Sequence, residues 1–300
     1  MPRKLTICVV APSGIVADDG GFERMKQFFR SRDINVIVPD AVRASYERFA
    51  GDDHTRLAAL HDAFNRDDVD IVLAARGGYG LSRLLDKIDY DLLANSGKIL
   101  VGHSDITALS LALFAKKSCM SFAGPHAIGD FGNPSPSEFT IDNFFQVLHS
   151  AQTKITVDAD NPYEFETTGT LWGSNLSLVA ALVDTPYLPD IADGILFLED
   201  INEAPYRVER MLYQLFHAGI LQRQRAILLG DFRCDNSASA NGYDLQNVVE
   251  HFRERLQIPI LSGFPFGHIR DKLTLPMGAT CQLSASRERY KLTLSQYPYR

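Results

Sequence analysis

The sequence predicts an α/β protein whose first half folds around a parallel β-sheet. Over the first 115 residues, short apolar runs that are typical of buried strands alternate with longer helical stretches. Strands separated by helices form βαβ units, and these units give a parallel sheet. The chain has 300 residues, of which 45% are hydrophobic and 22% are charged. This length and composition are sufficient for two domains with their own cores.

The predicted elements follow one another in a regular order. In the first half, strands are predicted at 5–10, 34–38, 70–75 and 99–101, and helices at 21–32, at 52–66, from about residue 81, and directly after the last strand. Further on, helices are predicted at 138–150, from 176 to about 182, at 206–217 and at 245–255, and strands at 194–199, 225–230, 258–261, 279–285 and 290–294. Loop signals divide the chain into an N-terminal domain (1–125), a connection (126–166) and a C-terminal domain (167–300).

Composition argues against several kinds of partner. The formal net charge is −7, and Lys and Arg are scattered among acidic residues, so we expect no nucleic-acid binding. The N-terminal apolar run of about five residues is too short for a signal-peptide core or a membrane span, which predicts a cytoplasmic protein without membrane contact. The four cysteines form no CxxC pair, so neither a zinc site nor a redox motif is indicated.

Residues 98–114 read as a short apolar strand, a sharp turn and an apolar helix. Such a turn would hold the hydroxyl of Ser104 at the tip of a strand-to-helix elbow, beside the backbone N–H of Asp105. Ser104 is therefore a candidate nucleophile, although serine is also a preferred N-cap residue. The pattern differs from the Gly-x-Ser-x-Gly elbow of α/β-hydrolases, because Ile106 stands in place of the second glycine. A nucleophilic serine also requires a base and an orienting group.

An acidic pair, Glu199 and Asp200, ends a strand that is otherwise apolar. A half-buried carboxylate needs a partner, because an uncompensated buried charge is costly. One interpretation is structural, with the pair capping the next helix or binding Arg207 or Arg210. The other is functional, with Glu199 accepting an N–H from a histidine ring and fixing its tautomer.

Three histidines are relevant to that second interpretation. His268 follows a strand and lies between glycine-rich turns, where either a general base or a surface loop residue is expected. His103 and His126 are loop residues near the predicted site. His103 directly precedes Ser104 in the sequence, and we expect its side chain to point away from the nucleophile.

A glycine-rich loop, Arg76-Gly-Gly-Tyr-Gly80, follows the predicted strand 70–75. It lacks the third glycine and the acidic ribose ligand of a dinucleotide fingerprint, and the chain has no P-loop lysine motif. Cofactor binding is therefore weakly supported. Glycines let backbone N–H groups approach a substrate closely, and one such donor together with the N–H of Asp105 would form an oxyanion hole.

Several blocks of the chain, taken together and in order, resemble the LD-carboxypeptidases, the murein tetrapeptide carboxypeptidase family of serine peptidases. The resemblance covers nearly the whole chain. Its blocks are Ser13-Gly14, Arg76–Gly80, Gly102–Asp105, Gly169–Gly173 with Asn175, Leu198–Glu203 leading into Arg207–Leu212, and Phe266–His268.

The resemblance implies a nucleophile at Ser104, an orienting carboxylate at Glu199 and a general base at His268. It implies a flavodoxin-like N-terminal domain, a smaller β-rich C-terminal domain of swivelling β/β/α type, an active site between them, and a homodimer. The implied reaction removes the terminal D-alanine from cytoplasmic murein tetrapeptide during peptidoglycan recycling, at the bond from the L-centre of diaminopimelate to D-alanine.

Acyl-transfer chemistry assigns the remaining roles. The N–H groups of Gly78 and Asp105 receive the oxyanion, and neither a metal nor a cofactor is required. Arg76, Trp172 and Asn175 are candidate substrate-binding residues. A core tryptophan and a capping asparagine are the plainer interpretations of the last two, and Arg76 could equally be a structural ion-pair partner. Gly173-Ser174-Asn175 departs from the Gly-Gly-Asn expected in the family.

Two alternatives to this function stay open. One is an immunity-type hydrolase of the same superfamily, similar to the microcin self-immunity peptidase, that cleaves an aminoacyl-nucleotide analogue. The other is a non-catalytic protein that binds a ligand in the cleft between its domains.

Overall fold

The computed structural model of the chain describes residues 3–235 and 241–300, which form two β-sheets with helices packed around them. The strands are β1 (Thr6–Val10), β2 (Asn35–Ile37), β3 (Ile71–Ala74), β4 (Ile99–Gly102), β5 (Ser121–Ala123), β6 (Gln152–Asp158), β7 (Phe165–Asn175), β8 (Ile195–Ile201), β9 (Ala226–Arg233), β10 (Ile260–Leu261), β11 (Leu275–Met277), β12 (Thr280–Ser286) and β13 (Arg289–Ser295). The α-helices are α1 (Asp19–Arg30), α2 (Asp53–Asn65), α3 (Tyr90–Asn95), α4 (Ile106–Lys117), α5 (Glu138–His149), α6 (Leu176–Ala181), α7 (Pro205–His217) and α8 (Leu245–Arg255).

The first sheet has the strand order β11-β5-β4-β3-β1-β2. Strands β1 to β5 are parallel and follow the flavodoxin-like order 2-1-3-4-5. The prediction of an α/β fold with a parallel N-terminal sheet is therefore confirmed. Strand β11 comes from the C-terminal part of the chain and pairs antiparallel with β5.

The second sheet has the order β10-β9-β8-β7-β12-β13-β6. Its first four strands are parallel, and the remaining pairs are antiparallel. The edge strand β6 belongs to the segment 126–166 that was predicted as a connection. That segment therefore contains the helix α5 and also supplies a strand to the second sheet.

Some elements differ from the predictions. Instead of a helix from residue 81, a short 3₁₀ turn at Leu81–Arg83 precedes α3, which begins where Asp89 accepts a hydrogen bond from the N–H of Leu92 at 2.9 Å. Strands β5, β6, β7 and β11 were not predicted. Strands β5 and β11 have three residues each, and Pro276 removes a backbone donor from β11. The polar loop predicted after 225–230 extends into residues 236–240, which lie outside the described residues.

The two sheets share a continuous apolar core. Helix α4, which starts directly after β4, packs against α6 and β7 of the second half. Val72 of β3, Leu109 of α4 and Leu198 of β8 are fully buried in the same cluster. The helix that follows Ser104 is thereby held against the strands that lead to Glu199. Within residues 3–235 and 241–300, no helix combines the length and the apolar character needed to cross a bilayer.

Candidate active site

Ser104 lies in the turn between β4 and α4, with a backbone φ of +60°. This left-handed conformation is costly for a residue with a Cβ atom, and such strain is concentrated at functional turns. The carbonyl of Ser104 accepts the N–H of Thr107 at 2.9 Å, so the backbone already begins the helix. In the described part of the chain, no side chain caps α4. Ser104 is half-buried at this strand-to-helix turn, and its hydroxyl has no capping role, as expected for a nucleophile elbow.

The glycine-rich loop packs directly against this serine. A Cβ atom on Gly77 would lie 2.6 Å from Cβ and 2.7 Å from Oγ of Ser104, so only glycine fits there. The carbonyl of Gly77 accepts the N–H of Gly14 at 3.3 Å. In a trans peptide the N–H points opposite to the carbonyl, so the N–H of Gly78 points away from Gly14. Gly78 has a φ of +116°, which also favours glycine.

The side chain of Asp105 joins the loops at the carboxyl ends of three strands. It is 1% exposed, and Oδ2 accepts the hydroxyl of Ser13 at 2.6 Å and the N–H of Leu81 at 2.9 Å. Burial raises the pKa of this carboxyl, and the two hydrogen bonds oppose the rise. The residue after Ser104 thus supplies a backbone N–H at the elbow and a carboxylate that holds the elbow in place.

Glu199 is fully buried and faces His268. Its Oε2 lies 2.7 Å from Nδ1 of the imidazole, and its Oε1 accepts an N–H of Asn175 at 3.1 Å. Arg207, which the structural interpretation offered as a partner, pairs with Glu203 at 3.6 Å instead. The histidine therefore takes the position that the functional interpretation requires.

The loop that carries His268 lies closely against the carboxylate. A Cβ atom on Gly267, which has a φ of +139°, would lie 3.3 Å from Oε2 of Glu199. The ring of His268 is 20% exposed and stands edge-on to the ring of His103, at 5.2 Å between centroids. Within the described residues, the hydroxyl of Ser104 and the imidazole of His268 form no hydrogen bond. Such contacts are often long in unliganded enzymes and shorten when substrate binds.

Comparison with known proteins places the chain in a family. Residues 7–124 match the model of the LD-carboxypeptidase N-terminal domain, and residues 168–283 match that of the C-terminal domain. The chain belongs to the LD-carboxypeptidase family. It is therefore an enzyme, and the resemblance predicted from the sequence blocks is confirmed.

Individual relatives cover nearly the whole chain. A probable murein peptide carboxypeptidase of Bacillus subtilis is 31% identical, over 94% of this chain and 90% of the relative. The crystal structure of muramoyltetrapeptide carboxypeptidase from Oxalobacter formigenes is 40% identical, with a TM-score of 0.92, covering 98% of this chain and 99% of its own. The microcin C7 self-immunity protein MccF in complex with aspartyl sulfamoyl adenosine has a TM-score of 0.89 at 22% identity, covering 100% and 98%, and so shares the fold.

Two of the candidate substrate-binding residues of this LD-carboxypeptidase have structural roles. Trp172 is 1% exposed, and its indole N–H donates to Gln224 at 2.8 Å. The prediction that it contacts substrate is corrected, because it is a core residue. Asn175 accepts the N–H of Leu178 at 3.3 Å, which caps α6, and donates to Glu199. It therefore orients the carboxylate.

Cationic side chains lie close to the site. Arg76 is exposed and donates to a backbone carbonyl 2.9 Å away. In residues 3–235 and 241–300, it forms no ion pair. A cavity of about 660 Å³ borders His268 and is lined in part by Arg233 and Arg270.

A second buried carboxylate, on Asp200, lies beside the first. It accepts the N–H groups of Ser177 and Ile201, both at 2.9 Å, and an N–H of Asn175 at 3.2 Å. Burial, followed by the negative charge of Glu199, raises the pKa of Asp200 to about 6.

The cysteines are poor competitors for the nucleophile role. Burial raises the pKa of Cys8 to about 11 and of Cys281 to about 12, and it also raises the pKa of Cys119 and Cys234. All four remain thiols at neutral pH, and the thiolate is the reactive form.

Sequence reasoning missed the side-chain roles of Asp105 and Asn175 and the position of the ring of His103. A signal existed for Asn175, because it ends β7 in register with Glu199 on the neighbouring parallel strand β8. For Asp105 and His103, the partners lie in distant loops, and no local pattern indicates them.

Proposed function

We propose that this LD-carboxypeptidase is a serine peptidase that removes the terminal D-alanine from murein tetrapeptide, at the bond from the L-centre of diaminopimelate. The hydrogen bond of 2.7 Å between the buried Glu199 and His268, in a chain with Ser104 at a strained elbow, is the observation that carries the proposal. The names of the Bacillus and Oxalobacter relatives support murein peptide as the substrate.

The proposed reaction has two acyl-transfer steps. His268 accepts the proton of Ser104 through Nε2 while Oγ attacks the amide carbonyl carbon, and Glu199 holds the imidazole in the tautomer with its proton on Nδ1. The tetrahedral intermediate breaks its C–N bond, and D-alanine leaves with a proton from His268. Water, deprotonated by the same imidazole, then hydrolyses the ester and regenerates Ser104.

Backbone geometry supports the proposed oxyanion hole. The N–H of Asp105 lies at the start of α4, where the helix dipole favours negative charge. Gly77 packs against both Ser104 and the nitrogen of Asp105, and its carbonyl is occupied by Gly14. The N–H of Gly78 thus belongs to a peptide next to the nucleophile. Together with the N–H of Asp105, it gives two donors that can bind the oxyanion formed from the substrate carbonyl in the tetrahedral intermediate.

Arg76 is the proposed recognition group for a carboxylate of the peptide. It begins the loop that contributes Gly78, and its exposed guanidinium can form two parallel hydrogen bonds with a carboxylate. We further propose that the enzyme acts in the cytoplasm, as a homodimer, in peptidoglycan recycling.

Incubation of the purified protein with murein tetrapeptide tests this proposal. Mass spectrometry should show conversion to the tripeptide with one free D-alanine per peptide cleaved. Ser104→Ala should abolish the conversion. Ser118→Ala is a matched control, because Ser118 is an exposed serine with a φ of +51° at the other end of α4, and it should leave the rate unchanged.

The same assay separates the alternatives. Aspartyl sulfamoyl adenosine, the ligand of the MccF structure, should be cleaved much more slowly than tetrapeptide. Preference for the nucleotide analogue would favour the immunity-type hydrolase. Binding of tetrapeptide without any cleavage would favour a non-catalytic protein, and full activity of Ser104→Ala would overturn the serine mechanism.

A further inference from the structure

The side chain of His103 points towards the catalytic imidazole. Its ring is 4% exposed, and Nδ1 lies 2.8 Å from the carbonyl of Gly124. Because a carbonyl can only accept, Nδ1 carries the proton, and this hydrogen bond fixes the ring plane. In that orientation, the ring contacts the ring of His268 at an interplanar angle of 72°. His103 therefore joins the backbone of the elbow to the catalytic base.

A second histidine supports the first from behind. The ring of His126 stacks on that of His103 at 3.9 Å between centroids and 17° between planes. The backbone N–H of His126 donates to Asp130 at 2.7 Å, and the buried ammonium of Lys272 binds the other oxygen of the same carboxylate. The stack thus rests on a buried ion pair and has little freedom to move.

Both rings are neutral at physiological pH. Burial and, after it, the ammonium of Lys272 lower the pKa of His126 to about 3. Burial also holds the pKa of His103 well below its ordinary value. A neutral stack does not repel the positive charge that His268 gains during acyl transfer.

The cluster also has the composition of a metal site, because ligand atoms of His103, His126 and Asp130 lie within 4.8 Å of one another. The arrangement opposes that use. An imidazole lone pair lies in the ring plane, and one ion cannot lie in two nearly parallel planes whose rings stack at 3.9 Å. Nδ1 of His103 is already bound to a carbonyl, and Lys272 places a positive charge on the only carboxylate of the three.

We propose that His103 is a positioning residue that holds the ring of His268 with Nδ1 towards Glu199 and Nε2 free for the nucleophile. The proposal rests on the proposed serine mechanism. It assigns no contact between His103 and the substrate, so its loss should lower kcat and leave KM nearly unchanged.

Two apolar variants of His103 distinguish the effect of ring packing from the effect of the volume that the side chain fills. His103→Phe keeps a planar ring for the stack and the edge contact, whereas His103→Leu fills similar space without one. We expect His103→Leu to lose about 100-fold in kcat, the size of effect that a misplacement of about 1 Å produces, with KM within about twofold. We expect His103→Phe to recover most of kcat. Thermal unfolding establishes that both variants are folded.

A spectroscopic measurement makes the test independent of turnover. Proton NMR should show a low-field resonance from Nδ1–H of His268 in its hydrogen bond to Glu199. The resonance should persist in His103→Phe and broaden or shift in His103→Leu. If the wild-type protein released no D-alanine, the proposed function would be wrong. The resonance would still show whether His103 positions the ring of His268.

Three results would overturn the positioning role. One is a His103→Leu enzyme with wild-type kcat and an unchanged resonance. Another is a rise in KM that accounts for the whole loss of kcat/KM, because it would place His103 in contact with substrate. The third is stoichiometric zinc in the purified protein that disappears in His126→Ala, which would make the cluster a metal site.

Discussion

Replacing Glu199 by glutamine isolates the contribution of one buried oxygen to catalysis. The side chain keeps its shape, but one acceptor becomes an NH₂ donor. Two donors face the native carboxylate, the Nδ1–H of His268 at 2.7 Å and the amide of Asn175 at 3.1 Å. Glutamine offers a single oxygen in this fully buried position, so one of the two donors must face an NH₂ group.

Either orientation damages the site. If the NH₂ faces His268, the imidazole must carry its proton on Nε2, and it cannot accept the proton of Ser104. In serine proteases, the equivalent loss of the correct tautomer lowers kcat about 10⁴-fold. If the NH₂ faces Asn175, a buried donor loses its acceptor at a cost of about 1–3 kcal/mol. We expect kcat/KM to fall about 10³- to 10⁴-fold, which corresponds to about 4–5 kcal/mol of transition-state stabilisation.

A continuous assay of D-alanine release from murein tetrapeptide measures this loss, with thermal unfolding as the test of folding. Glu203→Gln is the matched control. Its carboxylate pairs with Arg207 at 3.6 Å and does not touch the histidine, so its rate should stay within about twofold of wild type. A folded Glu199→Gln enzyme that loses less than tenfold would refute the assigned role of the carboxylate.

Three further predictions follow from the buried polar groups. Asp105→Ala removes the acceptor shared by Ser13 and Leu81. It should lower the free energy of unfolding, measured in urea, by about 3 kcal/mol and should also reduce kcat. Unchanged stability would contradict the inference that Asp105 joins the loops. Trp172→Phe should leave KM for tetrapeptide unchanged, since the indole is in the core, and a several-fold rise would return it to the substrate site. Burial raises the pKa of Asp200 to about 6 in the folded state, whereas an ordinary aspartate has a pKa of 3.8. Between these two values the folded state binds more protons than the unfolded state, so the stability of the folded state falls as pH rises. Stability relative to Asp200→Asn should therefore drop by about 3 kcal/mol between about pH 4 and pH 7 in urea unfolding, and a constant difference would be inconsistent with this.

The fold was largely predictable because its local signals agree with its topology. The strands that become β1, β3 and β4 are short apolar runs, all five residues of β1 being buried, and each is followed by a turn or helix with a recognisable start. Strand β11 was not predictable. Its three residues contain a proline, and the strand exists only because β5, more than 150 residues earlier, offers an edge.

In the candidate site, the turn at Ser104 and the contact between Glu199 and His268 were predictable, because these residues lie at strand ends or in loops. It was not predictable where a side chain acts across a long sequence separation. Asp105 lies 92 residues from Ser13, and the ring of His103 contacts that of His268 through the fold alone. For Trp172, the sequence suggested a role that the structure does not support. Its position in a family motif suggested contact with substrate, whereas the register of β7 places it in the core.

Labelling with a serine-directed fluorophosphonate tests the central claim most directly. We predict a single adduct that peptide mapping places on Ser104 in the wild type, with labelling slowed by at least about 100-fold in His268→Ala. An adduct on another residue, or equally fast labelling of Ser104 without the histidine, would contradict the claim that His268 activates this serine.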